Sequence, residues 1–350
     1  MPACSFAPER ATSQARPSTW TAAGAPDGCR PLVSYLDICR VTSGRTTLRK
    51  RCWSSRAMLS NPVQSVSDEV RCVGATRRRA LLMLFDRCPI LVRGGGDLAT
   101  GVVHCLHQVG FPVGVVELAQ PRTVRRRVAV SNAVYEGTAI VEGLRAERVK
   151  DVEGWQATVG EGAVPVAICD TIPDWIPAPE VIIDARLAKR NIDTCINDAD
   201  FVIALGPGFD AGIDCDVVVE TNRGSRLGRI IDTGPAQANT GVPGIVAGYG
   251  AERVLRAPRS GMIRWQMQIG DPVEQGAVLG TVDGVDIHAP FDGVIRGLLH
   301  PDCPVEHGLK VGDVDPRLDA PCDEISDKAL AIGGAAVEAI LGWMKSRGQP

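Results

Sequence analysis

From Pro89 onward the chain is a succession of short apolar runs separated by polar, glycine or proline breaks. Ile90-Leu91-Val92, Val113 to Glu117, Val164 to Asp170, Val181 to Asp184, Phe201 to Leu205 and Asp216 to Glu220 have strand length and little internal alternation. Unbroken apolar strands suit a parallel sheet covered on both faces. Between the first two runs, Leu98 to Val109 has the spacing of an amphipathic helix. Ile325 to Leu341 predicts a final capped helix, and its Gly333-Gly334 pair permits close packing or a kink. No apolar run approaches the roughly 20 residues of a membrane-spanning helix, so no membrane partner is expected.

Between Ala257 and about Pro316 the pattern changes to short strands and tight turns, an all-β signature. Ala-Pro-x-x-Gly-(Met/Val)-Ile occurs at 257 and again at 289. This repetition resembles the two quasi-equivalent halves of a biotinyl/lipoyl-type barrel sandwich. Such a carrier needs a lysine at its hairpin tip, where this chain has Asp283-Gly284-Val285-Asp286-Ile287-His288, and Lys310 lies beyond the second half. Neither biotin nor lipoate is expected, and a structural or partner-docking role takes the place of a swinging arm.

The glycine turn after the first run carries the most specific chemistry. Gly94, Gly96 and Ala99 fit G-x-G-x-x-G/A, and Glu117 closes the next strand 23 residues after Gly94. In that template the glycines allow a tight turn and close ligand approach, and the helix N-terminus with Thr100 faces an anion. Asp97 sits where a pyrophosphate would lie and either opposes it or caps the helix. These features predict an α/β fold: a Rossmann-like parallel sheet over 83–250, an inserted barrel-sandwich β domain over 251–320, and a C-terminal helix within 321–350 packing back on the sheet.

The remaining strand ends add basic and amide groups. Arg186 and Lys189 follow the run at 181, Gly206 and Gly208 the run at 201, and Asn222 and Arg223 the run at 216. Polar loops between strands are ordinary one by one, but their shared position at strand ends favours an anion pocket. The cysteines after residue 82 show no C-x-x-C or C-x-x-H spacing, so no metal site is expected. Cys195, Cys215 and Cys322, in polar settings, are the candidates for a reactive thiol. His104 with His107 lacks the carboxylate of a zinc-protease helix, and His300 and His307 read as solvated loop residues.

Charge divides the chain unevenly: residues 1–82 hold 13 Lys/Arg against 5 Asp/Glu, and the rest holds 25 against 36. The first segment is rich in Ser, Thr, Arg and Pro without sustained periodicity, and does not read as a folded domain. A transit peptide, a basic arm and an upstream translation before Met83 compete to explain it, the last being favoured. The absence of a secretory apolar core with a cleavage site makes the cytoplasm the expected compartment. Nucleic acid is not an expected partner, and a homo-oligomer stays open.

Residues 89 to about 341 resemble the YqeB-like accessory proteins of the selenium-dependent molybdenum hydroxylase system. The similarity rests on Gly94 to Gly101, Gln120 to Arg126, Ala133 to Gly137, Asp184 to Lys189, Gly206 to Phe209, Glu220 to Gly224, Leu227 to Arg229, Asn239 to Gly241 and Lys310 to Arg317, in that order. The resemblance implies maturation of a molybdenum hydroxylase, the client enzyme, through binding of molybdenum cofactor (molybdopterin) or a related nucleotide. The alternatives are an NAD(P)-dependent oxidoreductase, with Glu117 on the ribose hydroxyls, and a non-catalytic scaffold that docks the hydroxylase. No acid/base pair follows the glycine turn to assign a reaction.

Overall fold

The computed structural model describes residues 83–239, 241 and 244–348, so the expectation for residues 1–82 falls outside the described residues. In chain order, strand Ile90–Arg93 (β1) leads through helix Asp97–Gln108 (α1) to Val113–Glu117 (β2). The one-turn helix Ala133–Glu136 (α2) precedes the hairpin Thr138–Val141 (β3) and Leu144–Val149 (β4). Helix Val152–Gly160 (α3) follows, then Val164–Ile168 (β5), Val181–Asp184 (β6), Phe201–Leu205 (β7), Asp210–Ala211 (β8), Val217–Val219 (β9), Ile230–Ile231 (β10) and Gly234–Pro235 (β11).

The main sheet has the order β10-β9-β7-β6-β1-β2-β5-β4-β3. From β9 across to β4 each neighbouring pair is parallel, while β10 and β3 close the two edges antiparallel. Side chains alternate across it as the two-residue period of a strand requires. Ile90, Val92, Val113, Val115, Val181 and Ile183 face one way into a core with α1 and the C-terminal helix. Leu91, Val116 and Ile182 face the other way, against Trp155 of α3 and Ile176. A Cβ at Gly114 would overlap the Trp155 ring, so glycine on β2 is what lets that indole lie against the strand.

The rest of the chain forms Val254–Arg256 (β12), Ile263–Trp265 (β13), Pro272–Val273 (β14), Val278–Val282 (β15), Val285–His288 (β16), Gly293–Leu298 (β17), Lys310–Asp315 (β18) and helix Asp327–Ser346 (α4). β12, β18, β17 and β14 make one sheet, and β13, β15 and β16 another. Their shared interior holds Leu279, Ile295, Leu298, Leu299 and Val314. The β15–β16 hairpin turns at Asp283 and Gly284, both with positive φ, and Asp283 accepts the Met262 N–H at 3.1 Å.

The expected Rossmann-like parallel sheet with an inserted barrel sandwich is corrected by this arrangement. The sheet is mixed, with antiparallel strands at both edges. Helices cross only between β1 and β2 and between β4 and β5, whereas the connections from β5 to β6, β6 to β7 and β7 to β9 are loops with short pieces of strand. Apolar runs show that strands are covered, but not whether helices or loops cover them. The smaller part is a four-stranded and a three-stranded sheet. Among the described residues no helix is long and apolar enough to cross a membrane.

Candidate functional site

A cleft of about 450 Å³ opens at the carboxyl ends of β1, β2, β5 and β6, the edge at which parallel sheets place ligands. Gly94 turns the chain with φ +93°, and a Cβ there would press on the Ala185 backbone at 3.2 Å. Gly96 is the N-cap of α1 and offers no side chain to it. Thr100 is fully buried, donating to the Gly96 carbonyl at 2.8 Å and accepting the Val130 N–H at 3.0 Å. It braces the turn from behind.

The turn's polar groups are largely committed. Glu117 accepts the Gly95 N–H at 2.7 Å with one carboxylate oxygen and the Leu118 N–H at 2.8 Å with the other. Burial pushes this carboxyl up, and the two N–H donors only partly offset that. Asp97 accepts the Leu98 N–H at 3.0 Å and lies 3.7 Å from buried Arg125. Two of the three arginines on the wall are neutralised locally, and the third, Arg122, reaches exposed Glu306 at 3.4 Å. Arg93 reaches Asp193 at 2.6 Å, and Arg186 reaches Asp184 at 2.6 Å and Asp193 at 2.7 Å, with Thr194 joining both. With Asp97, Glu117 and Asp170 also on the lining, carboxylates outnumber arginines among the polar groups of a cleft that is otherwise largely apolar.

A second pocket of about 280 Å³ lies one loop away, lined by Lys189, Thr221, Asn222, Arg223, Gln237 and Lys328 among others. Its floor is organised by Glu220, fully buried, which accepts the Asn222 N–H at 2.7 Å and the Gln237 N–H at 2.8 Å. Arg223 grips Asp327 with two bonds of 2.8 and 2.9 Å, and this holds the Asp327 carboxyl well below its usual range. Lys189 has a left-handed backbone, φ +64°. Burial lowers the affinity of Lys328 for its proton, and the nearby charges of Lys189 and Arg223 lower it further, against the pull of Asp97 and Glu220.

The residues expected at the strand ends therefore divide into two groups. Gly94, Gly96, Asp97, Ala99, Glu117 and Arg186 line the cleft, whereas Lys189, Asn222 and Arg223 line the second pocket. Thr100, Gly206 and Gly208 line neither. Gly206 packs against the Thr221 side chain and Gly208 against the Lys189-Arg190 backbone, both with positive φ.

None of the three expected thiols faces the cleft; Cys169, at the end of β5, does. Cys195 is exposed. Cys215 is fully buried and pushed up to about 12 by burial, with Asp214 and Asp216 adding to it. Cys322 is also raised by burial. The sequence singled out other thiols, and the signal available for Cys169 was its place at the polar end of the run from Val164 to Asp170. Lys328 was likewise missed, and its signal was the Ser326-Asp327-Lys328 start of the helix: Ser326 caps α4 by accepting the Ala329 N–H at 3.1 Å.

His300 departs from the expected solvated state. Its ring stacks on Tyr135 with centroids 3.9 Å apart, and Nε2 lies 3.2 Å from Glu136. His107 is buried, with Nε2 3.1 Å from the Gly162 carbonyl. Among the described residues no group of three His, Cys, Asp or Glu side chains gathers to hold a metal ion.

No family model matches the chain. Over 256 residues, 72% of the chain, it is 41% identical to the uncharacterized protein YqeB of Escherichia coli (strain K12), so this region is YqeB-like. The match covers 47% of that protein, and the chain thus spans about half the length of its curated relative. Among solved structures, an aspartoacylase family protein from Mesorhizobium loti is 13% identical, with 67% of this chain and 86% of that one covered and a TM-score of 0.22. A succinylglutamate desuccinylase from Silicibacter is 11% identical, with 65% and 84% covered and a TM-score of 0.19. At such scores these likenesses carry no reading of fold or of activity.

Proposed function

We propose that this YqeB-like chain is an accessory protein in the maturation of a molybdenum hydroxylase of the selenium-dependent kind, with molybdenum cofactor, or a nucleotide form of it, as its cargo. The observation that carries this reading is the carboxylate-bearing cleft at the carboxyl edge of β1, β2, β5 and β6. A pterin offers ring N–H and amino donors, and the carboxylates of Glu117, Asp97 and Asp170 are complementary acceptors. The cleft volume is within the roughly 300–1,000 Å³ usual for small-molecule sites. Glu117, fixed by two backbone N–H groups, provides an acceptor that need not reorganise on binding.

A dinucleotide oxidoreductase draws less support from this geometry. The helix start that would meet a pyrophosphate carries Asp97.

Deletion of the gene in a host that makes the hydroxylase tests the reading. The hydroxylase is expected to accumulate as protein with most of its activity lost, and the whole chain supplied in trans should restore it. Full hydroxylase activity in the deletion strain would overturn the proposal.

A further inference from the structure

We infer that the basic pocket of Lys189, Arg223 and Lys328 is a separate subsite for a phosphate or pyrophosphate group, and that the glycine turn is not. The inference rests on the proposed cargo in one respect: one ligand spans the carboxylate-bearing cleft and this pocket.

The glycine turn is poorly suited to an anion in its present state. The Gly94 N–H donates to the Val116 carbonyl at 2.8 Å, the Gly95 N–H to Glu117 and the Leu98 N–H to Asp97. Asp97 supplies the negative charge that the N-terminus of α1 favours. A phosphate placed there would meet two carboxylates, and of the cleft's arginines Arg93 and Arg186 are already paired with Asp193 and Asp184 while Arg122 reaches Glu306.

The pocket one loop away has the opposite character. Of its three cations only Arg223 has a salt-bridge partner, Asp327, which is itself largely exposed. Lys189 and Lys328 form no ion pair or side-chain hydrogen bond among the described residues. Lys189, Arg223 and Lys328 line one pocket, and like charges gathered in one pocket are an arrangement an incoming anion would relieve. The side-chain amides of Asn222 and Gln237, 2.9 Å apart, add neutral donors on the same wall. At about 280 Å³ the pocket has room for the charged end of a cofactor rather than the whole.

The two sites are neighbours in a way that lets one molecule reach both. Leu187 and Ala188 line the cleft and the next residue, Lys189, lines the pocket. The ligand class is therefore a donor-rich heterocycle carrying a phosphate or pyrophosphate several bonds away.

Calorimetric titration of the whole chain with inorganic pyrophosphate tests the pocket. Saturable binding is expected, weakened about tenfold or more by Lys328→Ala and by Lys328→Gln, with Lys345→Ala, at the far end of α4, binding like the parent. The lysine variants should melt with the parent protein. No binding by the parent, undiminished binding by both Lys328 variants, or equal loss in Lys345→Ala would overturn the inference. Assay of pterin in the same preparations separates the two ideas: pterin present with pyrophosphate indifferent to Lys328 sinks the subsite alone. Binding that depends on Lys328 in a chain without pterin, however it is produced, sinks the cargo reading and leaves the subsite.

Discussion

At the scale of single residues, the cysteines show how far a side-chain type is from a function. Burial pushes Cys88 up to about 11 and Cys215 up to about 12, so at neutral pH both are thiols with negligible thiolate. Cys195 is exposed. Brief treatment of the native chain with iodoacetamide at pH 8, followed by peptide mapping, is expected to modify Cys195 while sparing Cys88, Cys215 and Cys303. Modification of Cys215 before Cys195 would contradict these positions. The polar neighbours that made Cys215 a candidate, Asp214 and Asp216, are the groups that help suppress its ionisation. Local sequence revealed the neighbours but not the burial that sets the sign. Glu117 was more legible, because its distance from the glycine turn dictates that it ends the adjacent parallel strand.

At the scale of elements, the contact between α1 and α4 places both pockets. Gly101 and Gly333 lie at the crossing, and a Cβ on Gly101 would stand 2.5 Å from the Ala329 carbonyl oxygen. This close approach brings the second turn of α1 against the start of α4, which carries Lys328. Gly101→Ala is expected to destabilise the chain by about 1–3 kcal/mol through overpacking. Gly334→Ala, with nothing within 4 Å of the new methyl, should be neutral or stabilising by up to about 1 kcal/mol. Urea unfolding reads both: the first midpoint falls with little change of slope, and the second holds or rises. Equal effects of the two substitutions would contradict the packing. The Gly333-Gly334 pair announced close packing or a kink; the helix runs unbroken through it, and only Gly333 is at the crossing.

At the scale of the whole molecule, the strands of the central sheet were legible because covered parallel strands are nearly continuous apolar runs. Their environment was not. The loops after β5, β6 and β7 replace the expected crossover helices, and the hairpin β3–β4 and the short β10 turn a parallel sheet into a mixed one. The candidate site was legible as a list of strand-end residues, and its division was not. Whether Arg186 serves a ligand or Asp184 depends on which loop folds over which strand end, information carried by contacts up to about a hundred residues apart, as between Arg93 and Asp193. The result is an edge with a half rich in carboxylates and a cationic half, and one molecule is proposed to occupy both.

Native mass spectrometry of the whole chain, purified from cells that make molybdenum cofactor, tests that claim most directly. A noncovalent adduct with the mass of a phosphorylated pterin or its nucleotide form, released on denaturation and fluorescent after oxidation, is the predicted result. A bare polypeptide, or an adduct with the mass of NAD or NADP, would contradict it.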